Sequence, residues 1–386
     1  MAELEEAVGL LARLVAFDTT SRNSNLDLIR CIEAALATHG IASEVRMDAS
    51  GRKANLHAVV GPRVAGGIAL SGHVDTVPVD GQAWLADPFS LRRAEGRLTA
   101  RGACDMKGFV ACAVLAAIDA SKRELARPLH LLITFDEETT FAGARQMARD
   151  LPASAPLPAM CVVGEPTSMA PVIAHKGYAS WDARFTGLSG HSSRQDTTAN
   201  ALHAAAEAIA WLSARARWFA REGRRDPGFT PPHTTVHAGT FHAGTVLNIV
   251  PDLAEFTFEV RSVPGDDPLA QLAELRAFVE AEVMPPLRAV HPACEARFTE
   301  RAFAPALALA EDHALTLLTQ RITGRNSAGR VSYGTEAGFY QGIGIPTIVC
   351  GPGDIAQAHQ PEEWLPEADL ATCLHYLGRL TDTLAP

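Results

Sequence analysis

The stretch Leu131-Leu-Ile-Thr-Phe135-Asp136-Glu137-Glu138 joins an apolar run of strand length to two adjacent glutamates. Such a run predicts a buried strand, and the ligands of an α/β sheet bind at the C-terminal ends of its strands. Successive residues of an extended chain point to opposite sides, so the two carboxylates can serve one site in different roles. One of them would hold a cation and the other would handle a proton.

Most of the remaining chain alternates short apolar runs with helical patterns, which is typical of a sheet covered by helices. Strands are predicted at 41–47, 55–60, 67–72, 129–135, 160–164 and 347–350, and helices at 3–16, 26–38, 106–121, 142–149 and 366–383. The sequence therefore predicts an α/β fold in which a helix-covered, largely parallel mixed sheet forms the main domain.

A different pattern begins near Gly177. The order becomes β-α-β-β-α over about 110 residues, which is enough for a small α+β domain. At 386 residues the chain is also too long for one ordinary core. We therefore expect a discontinuous larger domain, 1–177 with 292–386, and a smaller inserted domain at 178–291.

The composition excludes several classes of protein. A hydrophobic fraction of 47% and a charged fraction of 20% indicate a globular chain. The net charge of -10, without a cluster of Lys or Arg, argues against a nucleic-acid or anionic-membrane partner. No run reaches the roughly 18 apolar residues of a membrane span, and the acidic N-terminus does not resemble a signal peptide. The seven cysteines lack CxxC spacing, so we expect reduced thiols in a cytoplasmic protein.

Five candidate metal ligands follow predicted strands at one edge of the sheet. They are His73, Asp105, Glu138, Glu165 and His359. Each alone has an ordinary structural explanation, such as a surface turn, a helix cap or a solvated loop. Together, two histidines and three carboxylates suit Zn²⁺, Co²⁺ or Mn²⁺ better than Mg²⁺ or Ca²⁺. One tetrahedral zinc needs four ligands, so a two-metal site with Asp105 as bridge is the economical arrangement.

Asp75 is expected to hold the imidazole of His73, since residues two apart on a strand share a face.

Several short motifs resemble those of the di-zinc aminoacylase and carboxypeptidase family, over nearly the whole chain. These motifs are SGHVDTVP at 71–78, DMKG at 105–108, DEET at 136–139, GEPT at 164–167 and AHQP at 358–361. Within that family, AHKG at 174–177, SGHSS at 189–193 and GTEA at 334–337 are similar to acetylornithine deacetylases. The resemblance implies that the larger domain is catalytic and that the inserted domain is a lid that also forms a homodimer.

The resemblance also implies which residues hold each metal ion and which residue transfers the proton. His73 and Glu165 would hold one Zn²⁺, Glu138 and His359 would hold the other, and Asp105 would bridge them. Co²⁺ is a possible substitute for zinc. Glu137 would be the general base, Asp75 would orient His73, and the peptide bond after Asp105 is often cis in the family.

In the inserted domain the resemblance assigns substrate contacts to His191, Asn248 and Arg261. His191 would stabilise the developing oxyanion, either from the same chain or from a second subunit, and the other two would hold the substrate carboxylate. The sequence departs from the family at Glu259, where aspartate is usual, and at Ala243, where glycine is common. These departures leave the metal ligands unchanged.

Glu336 is a further candidate, because an anionic side chain in the pocket would favour the terminal ammonium of acetylornithine. Its structural alternative is an acid near the start of a helix beginning around residue 335.

The reaction that the resemblance implies is hydrolysis of N2-acetyl-L-ornithine to L-ornithine and acetate, a step of arginine synthesis. A succinyl-diaminopimelate desuccinylase, or another hydrolase or carboxypeptidase of N-acyl amino acids, would use the same metals. A metal-containing binding protein without turnover is the alternative from another class, because fold alone does not determine activity. Such a protein would be expected to lack the base or a ligand, and this sequence has all of them. The partner expected is a small N-acyl amino acid.

Overall fold

The structure is a computed structural model, and it describes residues 2–386. The chain divides into two compact units. The first comprises the residues up to 174 together with 307–330 and 335–386, and the second comprises 175–306 and 331–334.

A mixed sheet forms the centre of the first unit. Its strands lie in the order Ser43–Met47, Ala54–Val60, Leu129–Thr134, Ile68–His73, Met160–Pro166, Thr347–Gly351, Val172–His175 and Leu307–Ala308, and Gly329–Val331 pairs with Val172–His175. The four strands from Leu129–Thr134 to Thr347–Gly351 run parallel, and antiparallel pairs flank them. The predicted largely parallel mixed sheet is thus confirmed. A small separate sheet contains Arg92–Ala94, Arg97–Thr99 and Trp364–Pro366.

Helices of the first unit supply much of its core. They are Ala2–Val15, Leu26–Ala37, Gly108–Ala120, Ala142–Ser154, Ala314–Thr323, Ala337–Gly342 and Glu367–Asp382, with a short turn at Ile355–Gln357. Gly108–Ala120 is apolar on nearly every side, and most of its residues are buried. A helix that is apolar all round must be covered on all sides. It contacts both the sheet and the helices Ala2–Val15 and Glu367–Asp382.

An antiparallel sheet covered by helices forms the second unit. Its strands lie in the order Thr235–Ala243, Leu253–Ser262, Gly177–Thr186 and Ala296–Ala304, and a separate pair contains Gly190–His191 and Ile249–Val250. The helical segments are Gln195–Thr197, Ala201–Glu222, Pro268–Phe278, Val279–Val283 and Met284–Val290. Alternate residues of Leu253–Ser262 are buried, so Phe256 and Phe258 face the core while Arg261 lies on the other face.

The second unit continues to Ala306, beyond the boundary predicted at 291. Ala296–Ala304 pairs with Gly177–Thr186 as the last strand of the antiparallel sheet. The sequence assigned this segment to the larger domain because an edge strand with many exposed residues lacks a clear apolar pattern. The order of elements is therefore β-α-β-β-α-β.

Among residues 2–386, no helix combines the length and the apolar character that a membrane crossing requires.

Gly67 allows the chain to enter the strand that ends at His73. Its φ is +80°, and an added Cβ would lie 1.9 Å from the carbonyl oxygen of Pro128. We expect Gly67→Ala to lower the free energy of unfolding by about 3 kcal/mol, from left-handed strain together with the clash. Gly96 is the matched control, since its φ is +72° and no atom lies within 4 Å of its added Cβ. Gly96→Ala should cost about 1 kcal/mol. Equal urea midpoints for the two variants would contradict this account of Gly67.

Candidate metal centre

The parallel strands bring three of the five candidate ligands to one sheet edge. His73 is the last residue of Ile68–His73, Glu138 follows Leu129–Thr134, and Glu165 is near the end of Met160–Pro166. These strands are neighbours in the sheet and run in the same direction. Their carboxyl ends therefore meet, which is where α/β sheets bind ligands.

The other two candidate ligands lie on irregular backbone. Asp105 is in the turn Ala103–Lys107, where its φ of -121° and ψ of 96° break the helical path. The peptide bond from Asp105 to Met106 is cis, as the resemblance implied. His359 lies in a loop after Thr347–Gly351, and its φ of +61° is in the left-handed region.

Asp105 lies between the two histidines. Its Oδ1 is 3.1 Å from Nε2 of His73, and its Oδ2 is 3.2 Å from Nε2 of His359. The first histidine is also 3.7 Å from Oε1 of Glu165, and the second is 3.1 Å from Oε1 of Glu138. The five side chains thus form two groups that share one carboxylate.

Glu137 belongs to the same cluster. One ligand atom each from His73, Glu137 and Glu165 lies within 4.8 Å of the others, and the same is true of His73, Asp105 and Glu138. Glu137 is 8% exposed and can be reached from solvent. The two adjacent glutamates therefore belong to one cluster of side chains.

The electrostatics of the cluster show an excess of buried negative charge. Burial and the charge of Glu165 raise the pKa of Glu137 well above its ordinary value, and burial and the charge of Asp105 do the same for Glu165. Burial and Asp105 raise the pKa of Glu138 to about 7. A bound cation would relieve this repulsion.

The pKa values of the two histidines are also raised, which favours their positively charged forms. Burial disfavours the charged form of His73, but its hydrogen bonds with Asp105 and Asp75 raise its pKa well above the ordinary value. Hydrogen bonds with Asp105 and Glu138 raise the pKa of His359 to about 10. For Asp105, burial opposes ionisation, yet the two histidines lower its pKa.

The donor set fits divalent metal ions. Oε1 of Glu165 is buried and has no hydrogen-bond partner in the part of the chain that the structure describes. An unpartnered buried carboxylate oxygen is costly unless it binds a cation. Imidazole nitrogens together with carboxylates suit borderline ions such as Zn²⁺ or Co²⁺.

Asp75 makes more contacts than the sequence predicted. Nδ1 of His73 is 3.0 Å from the main-chain oxygen of Asp75 and 3.5 Å from its carboxylate. The carboxylate accepts hydrogen bonds from the main-chain N–H groups of Glu137 and Glu138, at 3.1 and 3.2 Å, and from the Ser21 hydroxyl at 2.7 Å. Asp75 therefore holds the turn of the glutamate pair as well as His73. Sequence reasoning missed Ser21, because the polar loop around it carries no pattern that singles it out.

The structure contradicts the proposed contact of Glu336 with a substrate ammonium. Glu336 is 0% exposed, and its two carboxylate oxygens accept hydrogen bonds from Ser71 at 2.6 Å and Thr134 at 2.5 Å. Burial raises its pKa, and the two hydroxyls oppose that rise. A side chain without exposed surface cannot contact a substrate. Glu336 instead links the strands Ile68–His73 and Leu129–Thr134 near their carboxyl ends.

The second unit contains the remaining three predicted residues. His191 and Asn248 are brought together, because Gly190–His191 pairs with Ile249–Val250 and the Asn248 carbonyl accepts the N–H of Ser192 at 3.1 Å. Arg261 is on another strand, where Nε donates to Glu259 at 2.9 Å and the guanidinium lies 4.7 Å from the centre of the Tyr178 ring.

Comparison with known proteins agrees with this geometry. The matching family model and the curated relatives described below show that the chain is a metal-dependent hydrolase of amide bonds. More narrowly, the chain belongs to peptidase family M20/M25/M40, whose model matches residues 69–383.

The relatives extend over nearly the whole chain. The acetylornithine deacetylase of Myxococcus xanthus is 37% identical over 374 residues, covering 96% of this chain and 95% of the relative. The acetylornithine deacetylase of Proteus mirabilis is 36% identical over 372 residues, which cover 95% of this chain and 92% of the relative. The crystal structure of an M20 family metallo-carboxypeptidase from Sulfolobus solfataricus has the same fold, with a TM-score of 0.75 at 15% identity over 97% of this chain and 98% of that one.

The position of Asp105 between both histidines leads to a prediction about stability. An ion that binds only the folded protein, at 100 times its dissociation constant, stabilises it by about 2.7 kcal/mol. We expect Zn²⁺ to raise the melting temperature of the metal-free protein and Asp105→Asn to lose most of this gain. Asp182→Asn serves as control, because Asp182 forms an exposed ion pair with Arg301. An undiminished gain in Asp105→Asn would exclude a shared role for Asp105.

Proposed function

We propose that this chain hydrolyses the amide bond of N2-acetyl-L-ornithine, releasing L-ornithine and acetate, and so serves arginine synthesis. The observation that carries the proposal is the shared position of Asp105, which joins two groups of ligand atoms into one centre. The acetylornithine deacetylases of Myxococcus xanthus and Proteus mirabilis support the choice of substrate.

Two Zn²⁺ ions would occupy the centre, with Co²⁺ as a possible substitute. His73 and Glu165 would hold one ion, Glu138 and His359 would hold the other, and Asp105 would contact both. When bound, the ions supply Lewis acidity, which acidifies water and polarises a carbonyl group. Elemental analysis of protein purified without added metal tests the identity of the ions, and a content of magnesium alone would refute zinc.

Glu137 is the proposed general base. Its main-chain N–H is held by Asp75 at 3.1 Å, which fixes the start of the side chain beside His73 and Glu165. A carboxylate oxygen of Glu137 takes a proton from the attacking water and passes it to the nitrogen of the leaving amine. Glu138 is not free for this task, because its carboxylate is engaged with His359.

The second unit would bind the rest of the substrate. His191 would stabilise the oxyanion, and Asn248 and Arg261 would hold the substrate carboxylate. The planar fork of Arg261 matches a carboxylate, which would replace Glu259 as its partner.

We also propose a cytoplasmic homodimer that forms through the second unit. Four large apolar residues are exposed within a short segment of that unit: Phe241, Val246, Leu247 and Ile249. A concentration of exposed apolar side chains marks interaction surfaces. Light scattering should give twice the chain mass of 41.1 kDa, and a single-chain mass would refute the dimer.

The test of the reaction is an assay of the Zn²⁺-loaded protein with acetylornithine, succinyl-diaminopimelate and uncharged acetylated amino acids. We expect acetylornithine to be preferred and Glu137→Gln to lower kcat by about 10²–10⁴-fold while metal content stays unchanged. Glu44→Gln is the control, since Glu44 forms a surface ion pair with Arg46. Turnover that survives in Glu137→Gln would refute the base, and metal binding without any turnover would favour a binding protein.

Arg261 gives a separate prediction about substrate binding. A hydrogen-bonded charge contributes about 1.5–3 kcal/mol, so Arg261→Ala should raise KM for acetylornithine by about 10–100-fold. Arg184 on the same sheet also pairs with a glutamate, Glu255, and Arg184→Ala is the matched control. Equal KM values for the two variants would remove the assigned role.

A further inference from the structure

Three side chains outside the proposed ligand set connect the backbone at Asp105 with the backbone at His359. They are Gln82, Arg101 and Glu363, which we call the positioning unit. All belong to the first compact unit, although they come from three separate segments of the chain.

Glu363 holds the turn that carries Asp105. Its Oε1 accepts hydrogen bonds from the main-chain N–H groups of Cys104 at 2.9 Å and Asp105 at 3.1 Å. Its side chain is buried, and its main-chain carbonyl accepts the N–H of Ala100 at 3.1 Å. Glu363 is therefore joined to both ends of the segment 100–105.

Arg101 joins the other two members of the positioning unit, because it donates to both. One guanidinium nitrogen donates to Oε2 of Glu363 at 2.7 Å, and another donates to Oε1 of Gln82 at 2.5 Å. Only 1% of Arg101 and of Glu363 is exposed. The guanidinium also lies 5.2 Å from the centre of the Trp84 ring, whose Nε1 donates to Oε1 of Gln82 at 3.1 Å.

Gln82 completes the connection. Its Nε2 donates to the main-chain oxygen of His359 at 3.1 Å. The side chain of His359 is 48% exposed, whereas His73 is enclosed, so packing alone restrains His359 less. The hydrogen bond from Gln82 to the main chain of His359 therefore restrains a residue that the hydrophobic core does not enclose.

We propose that the positioning unit fixes the backbone of Asp105 and His359 relative to each other and thereby sets the metal affinity of the centre. This inference rests on the proposed function in one respect, which is the assignment of the residues that hold the two metal ions. Buried ion pairs such as Arg101–Glu363 are weak contributors to stability compared with apolar residues of similar size. Groups that orient metal ligands, by contrast, commonly change metal affinity by 10–100-fold when they are lost.

The experiment is a stepwise titration of the metal-free protein with Zn²⁺ in the presence of a competing chelator. Gln82→Ala is the main variant, because Gln82 is only partly buried and is not part of the hydrophobic core cluster. We expect about a tenfold weaker affinity for one ion and little change for the other, since Gln82 contacts His359 alone among the proposed ligands. Glu363→Gln should weaken the affinity for both ions, because Asp105 contacts both histidines.

Gln146→Ala is the matched control. The Gln146 amide also donates to a main-chain carbonyl, that of Met47 at 3.0 Å, in the same compact unit. Unchanged affinities in Gln82→Ala, or an equal loss in Gln146→Ala, would overturn the proposal. The number of ions bound by the unaltered protein tests the metal centre separately. One bound ion, with a tenfold loss in Gln82→Ala, would refute the two-metal centre and support the positioning unit.

Discussion

Crowding of negative charge at the ends of parallel strands is the constraint on which the rest of the structure depends. Asp105, Glu138 and Glu165 each place a carboxylate oxygen within 3.7 Å of a histidine nitrogen, and Asp105 and Glu165 are buried. Like charges in such a setting oppose one another's ionisation, so the site is electrostatically satisfied only by cations or protons. The surrounding structure keeps the carboxylates in place despite this repulsion. Asp75 fixes the turn of the glutamate pair, and the positioning unit fixes the other two loops.

Much of this arrangement could be predicted from the sequence, because it follows from the geometry of a parallel sheet. Strands that are parallel and adjacent must end at the same edge, so His73, Glu138 and Glu165 were predicted to lie together. The apolar runs also gave the central strands and the long helices to within a few residues. Asp105 and His359 lie on irregular backbone, so only the number of candidate residues at one edge and the family motifs predict their place in the site.

What the sequence did not reveal depends on contacts between distant segments. The sequence predicts for Glu336 either a substrate contact or a place near the start of a helix, whereas its partners Ser71 and Thr134 lie on two other strands and Glu336 is 0% exposed. No local sequence pattern predicts a contact between residues so far apart in the chain. The second compact unit extends beyond the predicted boundary at 291, because Ala296–Ala304 joins the smaller sheet as an exposed edge strand that lacks the apolar alternation of Leu253–Ser262. The contacts of Gln82, Arg101 and Glu363 likewise join distant segments, which local sequence patterns do not predict.

The order of the proposed ligands along the chain determines when the centre can form during synthesis. His73, Asp105, Glu138 and Glu165 precede the second compact unit, whereas His359 follows it. A growing chain therefore contains four of the five ligands long before it contains the last. The strand Thr347–Gly351, which precedes the His359 loop, also has to join a sheet whose other parallel strands were made much earlier. The complete centre cannot exist on the ribosome until His359 has emerged, which is after the whole second compact unit.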